Sequence, residues 1–440
     1  MLVHAYWNYR TVMASMIFPC IFFIQILAIA SKSDAKVSAV IVFGDSSVDS
    51  GNNNFIPTIA KCNFEPYGRD FPGGTPTGRF CNGRLPPDFI SEGFGLKPII
   101  PAYLDPAFNI SDFATGVCFA SAATGYDNAT ADILKVIPLW KEVEYYKEYQ
   151  KKLRAYLGDR TASEVISEAL YVISIGTNDF VENYYALPKR KSQLTVQQYE
   201  DFLIGIAENF VRQIYSLGAR KLSLTGLPPM GCLPVQRTTN FHNPLNCLEE
   251  RNRVALEFNG KLKATVAKLN KDLPGLKVFF ADAYDLLFQL ITKPSQYGFE
   301  VVEEGCCGTG FFETGFLCNR HTPHTCPDAN NSVTATSTND AATGYFKISG
   351  KEAFQGHALT SLNQIEIRSS MEDLHELYKS FFPKSPSLSP QKMPLSSFSS
   401  IANGRWSAFE RRMGLTGQRS QSNRFIYRYD SVQVSKLRCG

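Results

Sequence analysis

The chain has 440 residues, of which 44% are hydrophobic and 20% charged. That composition is globular and excludes wholesale disorder, collagen and coiled coil. The net charge of +4 is too small to argue for a nucleic-acid partner. It is also uneven: residues 401–440 hold eight Lys/Arg against Glu410 and Asp430, which leaves the first 400 residues at −2.

At the N-terminus, residues 11–31 carry no Asp, Glu, Lys or Arg, with Arg10 before and Lys32 after. The apolar run from Ile17 to Ala30 ends in Ala28-Ile29-Ala30, an A-x-A cleavage pattern. This predicts a secretory signal peptide over residues 1–30. An uncleaved anchor is the rival, since about twenty apolar residues span a bilayer; Pro19 and Gln25 weaken it. A secreted chain with no stable membrane insertion after cleavage is the expectation.

Cys20 leaves with that segment, and ten cysteines remain. In an oxidising compartment they suggest disulfides. Pairing is open, though Cys232 with Cys247 would close a short loop. Sequons at Asn109, Asn128 and Asn330 agree with export.

Short apolar runs at 39–43, 170–175, 221–225 and 276–281 read as buried parallel strands. Helical patterns lie between them. Thr161 with Glu164, Thr195 with Gln198 and, more loosely, Asn246 with Glu249 form capping boxes. One helix is predicted over 196–217, ending at Gly218, and another over 248–269, stopping before Pro274-Gly275. Alternating strands and helices define an α/β domain with a mostly parallel sheet. Beyond residue 330 the periodicity fades, and residues 383–400 hold four prolines and seven serines. Residues 330–440 therefore read as a divergent, largely irregular tail.

In an open parallel sheet, ligands bind at the carboxyl ends of strands. Gly44-Asp45-Ser46-Ser47-Val48-Asp49-Ser50-Gly51-Asn52-Asn53-Asn54 follows the first run, and Gly176-Thr177-Asn178-Asp179 follows the second. The glycine-containing loop from Gly116 to Gly125 lies between. Ser46 falls where a strand turns towards a helix, a place that exposes a nucleophile. The Ser46 N–H, the Gly125 N–H and the Asn178 amide can then form an oxyanion hole. A lone Gly-Asp-Ser or Gly-x-Asn-Asp is usually only a turn; both at strand ends, in this order, are much more specific.

On these residues the chain resembles the plant GDSL esterase/lipases of the SGNH hydrolase superfamily, and is most similar to their extracellular members. Val42-Phe43-Gly44-Asp45-Ser46, Gly116 to Gly125 and Ile173-Ser174-Ile175-Gly176-Thr177-Asn178-Asp179-Phe180 are similar to the family's first three blocks. Gly226 to Pro234 and Gly305 to Gly310 are further family-like stretches. The likeness covers residues 37–329. It implies a three-layer α/β/α, flavodoxin-like SGNH fold and a serine esterase that needs no cofactor and no metal. It also implies Ser46 as nucleophile, Gly125 and Asn178 with it in the oxyanion hole, and an acyl ester or lipid as substrate.

The resemblance also implies a histidine base in a late Asp-x-x-His-Pro block, and that block is absent. None of His4, His242, His321, His324, His357 and His375 has Asp three residues before it or Pro after it. Glu372-x-x-His375 is the nearest imitation. The domain is thus expected to lack its last strand and helix, as an altered C-terminus from a retained intron or a frameshift would leave it. The expected site brings Ser46, Gly125 and Asn178 to one cleft with no histidine beside Ser46. The alternatives to an active esterase are an impaired relative that binds lipid or glycan, and the product of an altered gene.

Cys318-x-x-His321-x-x-His324-x-Cys326 has the residue types of a zinc site, but disulfides are the expected use of its cysteines. No Gly-x-Ser-x-Gly elbow occurs. Asp282 is expected to cap a helix rather than serve as a triad acid. The basic tail could touch anionic lipid or cell-wall polymer, but a solvated extension is the simpler expectation.

Overall fold

In the computed structural model, residues 37–65, 67–240, 246–297, 299, 307–308 and 324–325 are described. Five strands form one parallel sheet: β1 Val40–Gly44, β2 Gly116–Cys118, β3 Leu170–Ser174, β4 Lys221–Thr225 and β5 Lys277–Ala281. Their order is β2-β1-β3-β4-β5, the flavodoxin-like order, whose switch point lies between β1 and β3. Register runs from Val40↔Leu170 to Gly44↔Ser174 across β1 and β3, so both strands end level.

The main helices are α1 Pro86–Gly93, α2 Asn128–Leu134, α3 Leu139–Leu157, α4 Asp159–Glu168, α5 Val196–Ser216, α6 Glu249–Asp272 and α7 Ala283–Thr292. They divide between the two faces of the sheet because strand side chains alternate. Ile41, Phe43, Tyr171, Ile173, Leu222 and Leu224 form the larger core with Tyr146 of α3, Leu203 of α5 and Phe258 of α6. Val40, Val42, Leu170 and Val172 face the other way, against Ile100 and the half-buried Ile90 of α1. The result is a helix–sheet–helix sandwich, the three-layer fold expected from the sequence.

Local signals explain most boundaries. α5 begins in a complete capping box: the Thr195 side chain accepts from Gln198 N, and Gln198 Oε1 accepts from Thr195 N. It stops before Gly218, whose φ of 107° lies in the left-handed region that glycine tolerates. Asp282 caps α7 by accepting from Asp285 N, as expected.

Two expected caps are corrected. α4 starts at Asp159 after Gly158, so Thr161 lies inside the helix. α6 starts at Glu249 with Leu248 at the cap position and no side-chain cap. Both elements rest on packing, through Ile166 and Phe258 in the core, rather than on a cap. The sequence also read 116–118 as loop. Three residues carry no pattern of their own, and β2 is a strand because Gly116, Val117 and Cys118 pair with Val40, Ile41 and Val42.

Among the described residues, β5 is an edge of the sheet, and its Phe279, Phe280 and Ala281 are half-buried where β1 is fully buried. The expected loss of a last strand and helix, and the reading of residues 330–440, lie outside the described residues. Cys232 and Cys247 are joined by a disulfide. Cys118 departs from the disulfide expectation: it is a buried thiol that donates to Val48 O.

Candidate active site

β1 ends on Gly44, whose φ is 138° and where a Cβ would lie 1.9 Å from Ser174 O. Only glycine lets the chain leave the strand this close to β3. Asp45 N then donates to Ser174 O at 2.9 Å, and the chain turns at Ser46. The turn is held from inside: Asp45 Oδ1 accepts from Ser47 N (3.0 Å) and Ser47 Oγ (2.7 Å). Burial pushes the Asp45 carboxyl up to about 6 against these two donors. Ser46 itself is 3% exposed.

The second segment is fastened to the first by Asp49, Asn52 and Asn53. Asp49 accepts from Gly51 N, Asn52 N and Ala122 N. Asn52 Nδ2 donates to Cys118 O and Ala120 O. Asn53 Nδ2 donates to Ala60 O and Ala122 O, and its Oδ1 accepts from Ser121 Oγ. These bonds fix the loop that carries Gly125. That loop includes Ala123 at φ 68°, a left-handed conformation that costs a non-glycine residue about 1 kcal/mol or more.

The third segment closes on the second. Asn178 Nδ2 donates to Thr124 O at 2.9 Å. Asp179 accepts from Tyr126 N (2.7 Å), Asp127 N (3.0 Å) and Thr130 Oγ1 (2.6 Å). Its carboxyl is fully enclosed, and burial raises it to about 7. Residues Asp179–Tyr184 form a π-helix, a rare element often found at functional sites. Asp127, beside the loop, accepts a bidentate pair from Arg190 Nε (2.6 Å) and Nη2 (2.8 Å).

The structure thus sets all three sequence-predicted residues at the carboxyl edge of β1 and β3, with Asn178 bonded to the residue before Gly125. Among the described residues, the Ser46 N–H, the Ser46 hydroxyl and the Gly125 N–H make no hydrogen bond. The Asn178 amide spends one hydrogen on Thr124 and keeps its second. Buried donors left unpaired are rare in folded proteins. Here they lie on loops that leave the same edge of the sheet, where such donors can serve a negative charge developing on a substrate oxygen.

Four supporting acids had no role assigned from sequence. Asp49 and Asp179 sit inside the quoted motifs, so their presence was legible but not their bonding. Glu142 of α3 is fully buried and accepts from Gly44 N at 3.0 Å. Its signal was its place on the buried stripe with Val143, Tyr146 and Leu153, where a charged residue is out of character. Glu182 is buried with neither oxygen partnered among the described residues. Burial holds both glutamic acids well above the usual carboxyl range.

His4, His242, His321, His357 and His375 lie outside the described residues, and of His324 only its strand pairing with Gly308 is described. The identity of a base therefore falls outside them too, as does the Cys318–Cys326 cluster apart from His324 and Thr325. Among the described residues, no group of three or more His, Cys, Asp or Glu could hold a metal ion. No helix among them is long and apolar enough to cross a membrane. One groove of about 450 Å³ runs along α3 and another of about 410 Å³ lies between α3 and α5; neither includes Ser46.

The five-stranded parallel sheet in flavodoxin-like order, flanked by helices, places the chain among the three-layer α/β/α proteins, with Ser46 in the turn after β1. Comparison with known proteins narrows the class. The family model for GDSL-like Lipase/Acylhydrolase matches residues 40–330. GDSL esterase/lipase At2g42990 of Arabidopsis thaliana is 62% identical over 315 residues, covering 72% of this chain and 90% of the relative. GDSL esterase/lipase At2g04570 of the same plant is 60% identical, covering 68% and 85%. GDSL esterase/lipase At4g26790 is 59% identical, covering 70% and 88%. The chain belongs to the GDSL esterase/lipase family of hydrolases.

Proposed function

We propose that this protein is a secreted serine esterase/lipase that hydrolyses acyl esters through an acyl-enzyme on Ser46. The observation that carries the reading is the set of donors without a partner among the described residues: Ser46 N–H, Gly125 N–H and the second Asn178 N–H. The Ser46 hydroxyl attacks the acyl carbonyl while a base removes its proton. The three donors hold the oxyanion until it collapses, and the alcohol leaves with the proton that the base took from Ser46. Water then releases the acid by the same route. No cofactor takes part.

Secretion is supported by the N-terminal apolar segment, by the Cys232–Cys247 disulfide and by the exposure of Asn109 and Asn128, two of the sequons. The proposed organisation is a signal peptide over 1–30, the hydrolase domain over 37–329 and a divergent tail over 330–440. The substrate is a small acyl ester or a lipid.

A second reading is favoured by one observation, the absence of Asp-x-x-His-Pro after Cys326. It holds the chain to be an impaired relative that binds lipid or glycan at the same edge. Loss of the base from a serine triad lowers turnover by about 10⁶. Hydrolysis of p-nitrophenyl butyrate by the folded, secreted protein separates the two. Turnover that disappears in Ser46→Ala supports the esterase; folded protein without turnover supports the binding relative.

A further inference from the structure

The loop that follows the candidate nucleophile carries an apolar ridge. In Phe55-Ile56-Pro57-Thr58-Ile59 the side chains alternate: Ile56 and Thr58 are half-buried, while Phe55, Pro57 and Ile59 face water. Phe55 is 43% exposed and Ile59 77%, the highest figure among the large exposed hydrophobic residues described. An isolated exposed apolar residue needs no explanation. Three on one rigid turn do.

The ridge is rigid because both of its ends are tied to the site. Asn53 Nδ2 bridges Ala60 O (2.9 Å) and Ala122 O (3.1 Å), which clamps the two ends of the loop together on the segment leading to Gly125. Ala60 packs with Ala123 in a small core that also receives Ile56. Thr58 Oγ1 donates to Leu134 O (2.7 Å), and Lys61 Nζ to Asn54 O (3.2 Å). The ridge therefore stands on the rim of the edge that holds Ser46, Gly125 and Asn178.

Its charge setting matches a lipid surface. Residues 51–61 contain no acid. The half-buried Lys61 ends the loop with its ammonium on Asn54 O, and the exposed Lys135 follows the residue that Thr58 bonds; the acids next along the chain are Asp132 on α2 and Glu65. An acid-free apolar ridge with the exposed Lys135 ammonium next to its anchor suits insertion between lipid headgroups, where the apolar side chains enter the acyl boundary and Lys135 meets phosphate.

We infer that Phe55, Pro57 and Ile59 dock the protein on a lipid–water interface, so that the edge bearing Ser46 faces the ester groups of the surface. The inference rests on the esterase/lipase reading for its choice of substrate, and its test does not depend on turnover.

The test is flotation of the full-length secreted protein with phosphatidylcholine vesicles and with vesicles of equal parts phosphatidylcholine and phosphatidylglycerol. The expected result is binding to both, tighter to the mixed vesicles. The double variant Phe55→Ser/Ile59→Ser should bind about tenfold or more weakly, from the loss of two apolar side chains at the interface. Its melting temperature and its rate on a soluble p-nitrophenyl ester should equal those of the parent. Ser46→Ala should float as the parent does, whether or not the parent is an esterase. Binding that the double variant retains would overturn the inference. So would binding confined to mixed vesicles and abolished by salt, which would assign the contact to surface cations. Soluble-ester turnover without flotation would overturn the ridge and leave the esterase standing.

Discussion

The Asp179 carboxylate fills the space that any side chain at Gly125 would need. A Cβ on Gly125 would lie 2.3 Å from Asp179 Oδ1 and 2.6 Å from its carboxyl carbon. The glycine and the acid are therefore one unit, in which the acid orders Tyr126 N and Asp127 N just beyond the glycine. Gly125→Ala should force this contact apart and cost about 1–3 kcal/mol, the range for overpacking a closed core. Urea denaturation reads the cost, and parent-like stability would refute the coupling.

Asp179→Asn should destabilise as well. The parent carboxylate accepts from donors at both oxygens. An amide keeps one oxygen and turns its NH₂ against a donor, a cost of about 1–3 kcal/mol for a buried group left unmatched. Equal midpoints for variant and parent in urea would show that the bonds at one oxygen carry nothing.

Burial raises the Glu142 carboxyl well above its usual range and so favours its protonated form, with Gly44 N–H donating to Oε2. Glu142→Gln preserves shape, neutrality and an acceptor, so its stability at neutral pH should lie within about 1 kcal/mol of the parent. Glu142→Ala should cost about 2 kcal/mol or more, from the cavity and the orphaned Gly44 N–H. If the two variants unfold alike, the carboxamide is no substitute and the neutral state is wrong.

Stability should fall as pH rises from 5 to 8. Burial raises Asp45 and Asp49 to about 6 and Asp179 to about 7, while the unfolded chain titrates near 3.9. Over this window the unfolded state holds fewer protons than the folded one, so each unit of pH favours unfolding. The contribution is complete below the unfolded value and is lost as pH passes through 6 and 7. Melting curves at pH 5 and pH 8 check the sign; a higher midpoint at pH 8 would contradict it.

β1, β3 and β5 were legible because each holds a continuous apolar run, and β4 because Leu222 and Leu224 alternate with polar residues before Gly226. β2 was not, since Gly116-Val117-Cys118 becomes a strand only by pairing with β1. Thr161 and Asn246 misled because their local capping chemistry lost to the packing of Ile166 and Phe258. The edge holding Ser46, Gly125 and Asn178 could be read from motif order. The clamps around it could not: Asn53 to Ala122 spans 69 residues and Glu142 to Gly44 spans 98. Contacts at that separation leave no mark on local periodicity.

The central claim is that Ser46 carries the acyl group. The direct measurement is mass spectrometry of the protein quenched by acid during p-nitrophenyl butyrate turnover. The account predicts a butyryl adduct on the peptide containing Ser46 and none on Ser46→Ala. Turnover with no adduct at Ser46, or with the acyl group on another residue, would contradict it.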